Sequence, residues 1–281
     1  MHVLRWLWHV IGRVADGELT VAGGGIALFG LLATIPAVAA VVSIYALAAD
    51  PSDIPTHLGP LRHLVPAAVH GFIVEQLGRA SADTGELSFT LVTSLVLSIY
   101  SARNAINALL EGLARAYRRP SERTWLQQFV LSLVAAVGVM LALLISVLVL
   151  VALPTLGSLL RVDTGAVAWL ELLRWPVLLV IVVSGLLLIY RAAGNPHGRP
   201  RVPGPRARIV PGAVLATLAW MVVSFGLELW VDRVANYQVL YGAFASVIVL
   251  ILWFYTSAMC ILVGAVVNAE LDDLLARLRQ P

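Results

Sequence analysis

Thr124 to Leu160 reads TWLQQFVLSLVAAVGVMLALLISVLVLVALPTLGSLL, 37 residues without one ionisable side chain. A helix needs about 20 apolar residues to cross about 30 Å of hydrocarbon, so this run is long enough to span a membrane. Its middle, VAAVGVMLALLI, contains one Gly and no turn cluster, which favours a single long span over a hairpin. The whole chain agrees with its longest run: 60% of the 281 residues are hydrophobic and 12% charged, against about 25% charged in an ordinary soluble domain. The 19 basic residues are all arginines. Their placement follows membrane topology, so the net charge of +3 does not imply nucleic-acid binding. Cys260 is the single cysteine and sits in an apolar stretch, which excludes an intrachain disulfide. The amphipathic N-terminus, with arginines inside it, lacks the plan of a cleaved signal peptide.

Other charge-free runs mark further spans. Leu19–Ala49 gives 31 residues, Val234–Ala269 gives 36 and Ile209–Leu227 gives 19. Leu87–Ala102 and Trp175–Tyr190 give 16 each and reach full length only with flanking polar residues. The fold class is therefore all-α, a polytopic membrane helix bundle of six transmembrane helices plus amphipathic interfacial helices. Its spans lie at about 22–48, 87–110, 125–153, 171–191, 209–231 and 239–267. Residues 1–281 form a single integral membrane domain. With both termini on one side, that side collects thirteen arginines and the other five, leaving Arg103 within a span. The positive-inside rule then makes both termini cytoplasmic. Residues 1–18, with Trp6 and Trp8 beside Arg5 and Arg13, read as a helix on the cytoplasmic surface. Residues 50–86 read as an external amphipathic segment, since their longest charge-free run is only twelve residues. GNPHGRPRVPGP, Gly194–Pro205, is a breaker-rich loop between the fourth and fifth spans.

The second span breaks the apolar pattern. In SLVLSIYSARNAINALLEGLARAYRR, Ser94–Arg119, the residues Tyr100, Arg103, Asn104, Asn107 and Glu111 share an arc of about 100° at helical geometry. Two readings stand. The stripe is a polar pathway facing the first, fifth and sixth spans, or Arg103 snorkels to the cytoplasmic end about 10 Å away. In the first span Gly23, Gly24, Gly25 and Gly30 suit close helix approach, and Pro36 marks a kink. Pro211, Gly212, Gly242 and Gly264 are further hinge or packing candidates. Glu228 and Asp232 beside Arg233 form either a solvated rim or an ion site. Tyr241 suits the outer aromatic belt, whereas Trp253 and Tyr255 lie deeper and either pack between helices, their N–H and O–H seeking partners, or wall the candidate path with Tyr241. Six histidines spaced at least six apart give no H-E-x-x-H pair and no metal cluster, and there is no P-loop or nucleophile elbow. No cofactor and no enzyme activity are implied.

Several stretches, in this order, resemble the YihY/BrkB family of bacterial inner-membrane proteins, formerly labelled ribonuclease BN-like. They are IALFGLLATIP ending at Pro36, Asn107 before a basic loop, Tyr190 with Arg191, PGAVLATLAW from Pro211 to Trp220, Tyr237, Tyr241 with Gly242, LWFY from Leu252 to Tyr255, and GAVVNA from Gly264 to Ala269. The chain departs from the family pattern at Val266, where a glutamate is usual, and at Leu28 and Phe29, where tyrosines are common; Glu270 lies one turn beyond Val266. The resemblance implies a multi-pass protein of the bacterial cytoplasmic membrane, linked with transport or envelope functions. The leading expectation is a transporter or lipid translocator that uses Tyr100, Arg103, Asn104, Asn107, Glu111, Tyr241, Trp253 and Tyr255. The alternative is a non-transporting envelope assembly protein whose arginine loops recruit partners. Ribonuclease activity is not expected, because the metal ligands it needs are missing from the pattern. The partners implied are membrane lipids, anionic head groups among them, with self-association left open and no nucleic acid.

Overall fold

The computed structural model describes residues 10–14, 17–48, 84–118, 123–159, 164–194, 209–233 and 244–278. Among them it is all-helical, without a strand. Six long helices follow in order: α1 Gly17–Ala48, α2 Thr84–Ala116, α3 Trp125–Leu159, α4 Thr164–Gly194, α5 Val210–Arg233 and α6 Phe244–Leu278. Residues 10–14 are also helical. Five of the long helices, all but α2, hold a stretch of described residues long and apolar enough to cross a membrane. In α2 the polar residues from Arg103 to Glu111 interrupt the apolar sequence, so its 33 residues carry the least hydrophobic of the six patterns.

The helices outrun the expected spans at most ends, because apolar runs count only what hydrocarbon covers while hydrogen bonding continues into the interface. Local chemistry sets the boundaries. At the start of α3, Thr124 Oγ1 accepts the Gln127 N–H at 3.4 Å and Gln127 Oε1 accepts the Thr124 N–H at 3.2 Å. This reciprocal box satisfies two of the donors that a helix start leaves open. After Ala116, α2 ends in a turn where the Tyr117 N–H reaches the Leu113 carbonyl and the Arg118 N–H the Arg115 carbonyl, each at 2.9 Å. Arg118 takes a left-handed φ of 51°, a conformation usually left to glycine. Pro36 lies inside α1, where it removes one backbone donor.

The chain forms two compact units. One comprises Met1–Gly23, Ile106–Val223 and Thr256–Pro281; the other comprises Gly24–Ala105 and Ser224–Tyr255. In the first unit α3 packs along α4, as the four-residue connection between them requires of neighbouring antiparallel helices. Its core is built from Leu109, Leu113, Ala116, Ala213, Ala216, Leu262, Ala265 and Val266. Small residues dominate because lipid supplies no hydrophobic drive between helices, so close backbone approach and dispersion must hold them. Gly112 faces Ala22 and Leu262, and Gly212 faces Gly264. In the second unit Ala27, Ser94 and Ser98 are buried, and Gly30 lies against the ring of Phe254. Gly24, expected to support helix approach, has nothing within 4 Å of where a Cβ would stand. Large apolar side chains such as Val134, Leu141, Val180, Val222 and Phe225 are exposed, as suits a hydrocarbon solvent.

Candidate functional site

The stripe on α2 can be placed by what surrounds it. In the second unit Ser94 and Ser98 mark the inner face; Tyr100, Arg103 and Asn104 lie about 120–160° around the helix from Ser98, and Tyr100 is 58% exposed. In the first unit Leu109, Leu113 and Ala116 are buried, while Asn107 and Glu111 each lie about 160° from Leu109, with Glu111 exposed. The face of α2 that meets Ala22 of α1 and Leu262 of α6 is the small, apolar one around Gly112. The stripe runs from one unit into the other, with Tyr100, Arg103 and Asn104 in the second and Asn107 and Glu111 in the first. In the first unit packing brings the face with glycine and alanine against α1 and α6, while the half-buried Asn107 meets Gln128 of α3.

The stripe also divides chemically. Arg103 Nη1 donates to its neighbour Asn104 Oδ1 at 3.0 Å, within the second unit. Asn107 and Glu111 belong instead to a chain of side chains in the first unit. Arg123 Nη1 donates to Gln128 Oε1 at 3.4 Å, Gln128 Nε2 donates to Asn107 Oδ1 at 2.9 Å, and Asn107 Nδ2 donates to Glu111 Oε1 at 2.7 Å. Each amide accepts through oxygen and donates through nitrogen, so the bonds run in one sense from guanidinium to carboxylate. Arg123 is anchored by its Nη2, which donates to the Ala192 carbonyl in the last turn of α4 at 2.5 Å. Burial pushes the Arg123 guanidinium below its usual value. Gln128 and Arg123 were not singled out by sequence reasoning. The signal was an amide one turn into a span beside a loop arginine.

A second polar centre in the first unit joins α5 and α6. Helix α5 starts after Ile209, whose side chain cannot cap it, and Pro211 brings no N–H. The buried Asn268 of α6 takes over: its Oδ1 accepts the Gly212 N–H at 2.8 Å, and its Nδ2 donates to the Ile209 carbonyl at 3.2 Å and to the Tyr117 hydroxyl at 3.4 Å. A side chain 56 residues away thus supplies the cap. Only glycine permits the approach, because a Cβ on Gly212 would collide with the Gly264 carbonyl and one on Gly264 with the Gly212 carbonyl and the Tyr190 hydroxyl. Tyr190 is fully buried and donates to the Ile261 carbonyl at 2.7 Å, with its ring edge-on to Tyr117. Val266, standing where the related pattern has glutamate, is fully buried among these residues.

Glu270, one turn beyond Val266, is held by arginines. Arg13 Nη1 donates to its Oε1 at 3.0 Å and Arg118 Nη2 lies 3.5 Å from the same oxygen; Arg118 also approaches Asp273 at 3.7 Å. Arg13 additionally donates to the Ala116 carbonyl at the end of α2, at 2.5 Å. Of the expected surface helix over residues 1–18, residues 1–9, with Trp6 and Trp8, and 15–16 lie outside the described residues; within 10–14 Val10 is buried and Arg13 is in an ion pair. Trp253 Nε1 donates to Ser224 Oγ at 3.3 Å, and Tyr255 is half-buried in the same unit. Trp220 Nε1 makes the equivalent bond to Ser257 Oγ at 3.0 Å in the other unit. Tyr241 and Gly242, residues 50–83, all six histidines and the side chains of Glu228 and Asp232 lie outside the described residues. Gly23 is buried, Gly25 half-buried and Pro211 exposed. Among the described residues no group of three His, Cys, Asp or Glu side chains could hold a metal.

The comparisons with known proteins agree with this architecture. The family model for virulence factor BrkB matches residues 10–280. The ribonuclease-like protein YfkH of Bacillus subtilis (strain 168) is 30% identical over 228 residues, 76% of this chain and 76% of that protein. A UPF0761 membrane protein of Xanthomonas campestris pv. campestris (strain B100) is 27% identical over 271 residues, 93% of this chain but 58% of its own length. A UPF0761 membrane protein of Verminephrobacter eiseniae (strain EF01-2) is 33% identical over 97 residues, 22% of its length. The chain thus spans little more than half of the Xanthomonas relative and a smaller part of the Verminephrobacter one. No solved structure matches. A match to nearly the whole chain, on a set of long apolar helices joined through small residues, makes this chain a membrane protein of the BrkB (YihY) family.

Proposed function

We propose that the chain moves an amphipathic substrate, a phospholipid in the simplest case, across the bacterial cytoplasmic membrane, with α2 as a sixth span and both termini cytoplasmic. One observation carries this reading: α2 carries a polar stripe that starts at the exposed Tyr100 and continues through the half-buried Arg103 and Asn104. A soluble polar solute needs an enclosed path, because exposed polar groups are costly in hydrocarbon. A half-buried stripe that opens at an exposed tyrosine suits a molecule that brings its own acyl chains and passes only its head group along the helix. Arg103 in that stripe costs about 2.5–3.5 kcal/mol at mid-bilayer by insertion scales, a penalty that a lipid phosphate would offset through a charge-assisted hydrogen bond. The scaffold reading draws less support, since Arg13 and Arg118, two of the arginines it would offer to partners, are committed to Glu270.

Purified protein in liposomes carrying fluorescent phospholipids provides the test, with a membrane-impermeant quencher reporting which head groups reach the outer leaflet. The wild type should expose inner-leaflet lipid, and Arg103→Ala should slow this by about tenfold, the loss expected of one charge-assisted contact. Equal rates for wild type and protein-free liposomes would exclude lipid movement.

A further inference from the structure

We infer that Glu111 is a receptor for the primary ammonium of a phospholipid head group and that Arg123, Gln128 and Asn107 are its positioning residues. The identity of the lipid class deepens the transport reading above, but the binding site itself stands on separate observations. The first is that an exposed carboxylate is held in one orientation by a one-way chain of three side-chain hydrogen bonds, anchored on the Ala192 carbonyl. Exposed acids rarely repay the rotamer freedom that such fixing removes. The chain engages only Oε1. Among the described residues no cation pairs with Glu111, even though Arg115 stands one turn on, where an i,i+4 pair would form. Oε2 of this exposed residue is therefore left as an acceptor without a protein donor among the described residues.

The second observation is depth. The α2–α3 connection begins at Tyr117, about 9 Å along the axis from Glu111, and α3 opens with the exposed aromatic Trp125, stacked at a tilt on Phe129, followed by the exposed Leu126. Exposed tryptophan at the start of an apolar helix marks the head-group level. Glu111 therefore sits at the boundary where a phospholipid amine lies, beside apolar surface that suits its chains. The third observation selects the amine. The acceptor is a carboxylate, to which a primary ammonium brings three N–H donors and a quaternary ammonium brings none.

The test is native mass spectrometry of the full chain in detergent with equal amounts of phosphatidylethanolamine, phosphatidylcholine and phosphatidylglycerol of identical acyl chains. The wild type should retain phosphatidylethanolamine over phosphatidylcholine by about three- to fivefold, the most that an exposed ion pair supplies. Glu111→Gln should bring that ratio to one. Gln128→Leu should lower it while leaving total lipid bound unchanged, which a merely structural role would not do. Glu18→Gln, at another exposed acid without such a chain, should leave the ratio intact. An unchanged ratio in Glu111→Gln overturns the inference, and equal competition by free ethanolamine reassigns the site to soluble amines. The retained preference without lipid movement in liposomes would defeat the transport reading and leave this site standing; movement with no effect of Glu111→Gln would do the reverse.

Discussion

Replacing Gly212 by alanine would drive a methyl group into the Gly264 carbonyl and the Asn268 amide, neither of which can yield without moving a helix. The cost should be about 1–3 kcal/mol, the range for overpacking a filled interior, and thermal unfolding in detergent should show it. Gly138→Ala is the contrast: nothing stands within 4 Å of its Cβ position, so the substitution should gain up to about 1 kcal/mol of helix propensity. Asn268→Leu should lower the same unfolding midpoint, because it strands the Gly212 N–H and the Ile209 carbonyl at a cost of about 1–3 kcal/mol. The glycines could be noted in the sequence as small residues suited to close approach. Which glycine meets which was not legible there, because Gly24 and Gly212 look alike in one dimension and differ only in what packing brings opposite them.

At the scale of elements, polar side chains at helix ends tie segments that are far apart in the chain. Arg13 and Glu270, 257 residues apart, share a hydrogen bond beside the Ala116 carbonyl. Both side chains are largely screened from solvent, at 14% and 10% exposure, so removing one partner leaves a charge that water reaches poorly. Glu270→Gln should therefore cost about 3 kcal/mol and free the segment around Arg13. Limited trypsin digestion should cut after Arg13 faster in the variant, with an unchanged cleavage rate arguing that other contacts hold the segment. In α2, the periodicity of Tyr100, Arg103, Asn104, Asn107 and Glu111 was readable, since about 100° per residue puts them on one side. The direction of that side was not. Local sequence does not say which neighbour each part of α2 meets; in the first unit Gly112 lies against Ala22 and Leu262, and Asn107 bonds Gln128 of α3.

For the whole molecule, the topology can be tested through its single cysteine. With Cys260→Ser as background, an impermeant maleimide added outside intact cells should label Ser52→Cys and spare Arg199→Cys, as cytoplasmic termini and six spans require. Labelling of both or of Arg199→Cys alone would reverse or break that arrangement. The sequence by itself determined the solvent, the helical class and most of the spans, because hydropathy is summed along consecutive residues and needs no partner. Thr124–Leu160 is apolar however the chain folds. Only the tertiary structure decided that Asn268 caps α5, that Glu270 gathers Arg13 and Arg118, and that Asn107 passes a hydrogen bond from Gln128 to Glu111. These contacts join residues from different helices, and a helix carries no record in its own periodicity of which neighbour its polar groups will meet.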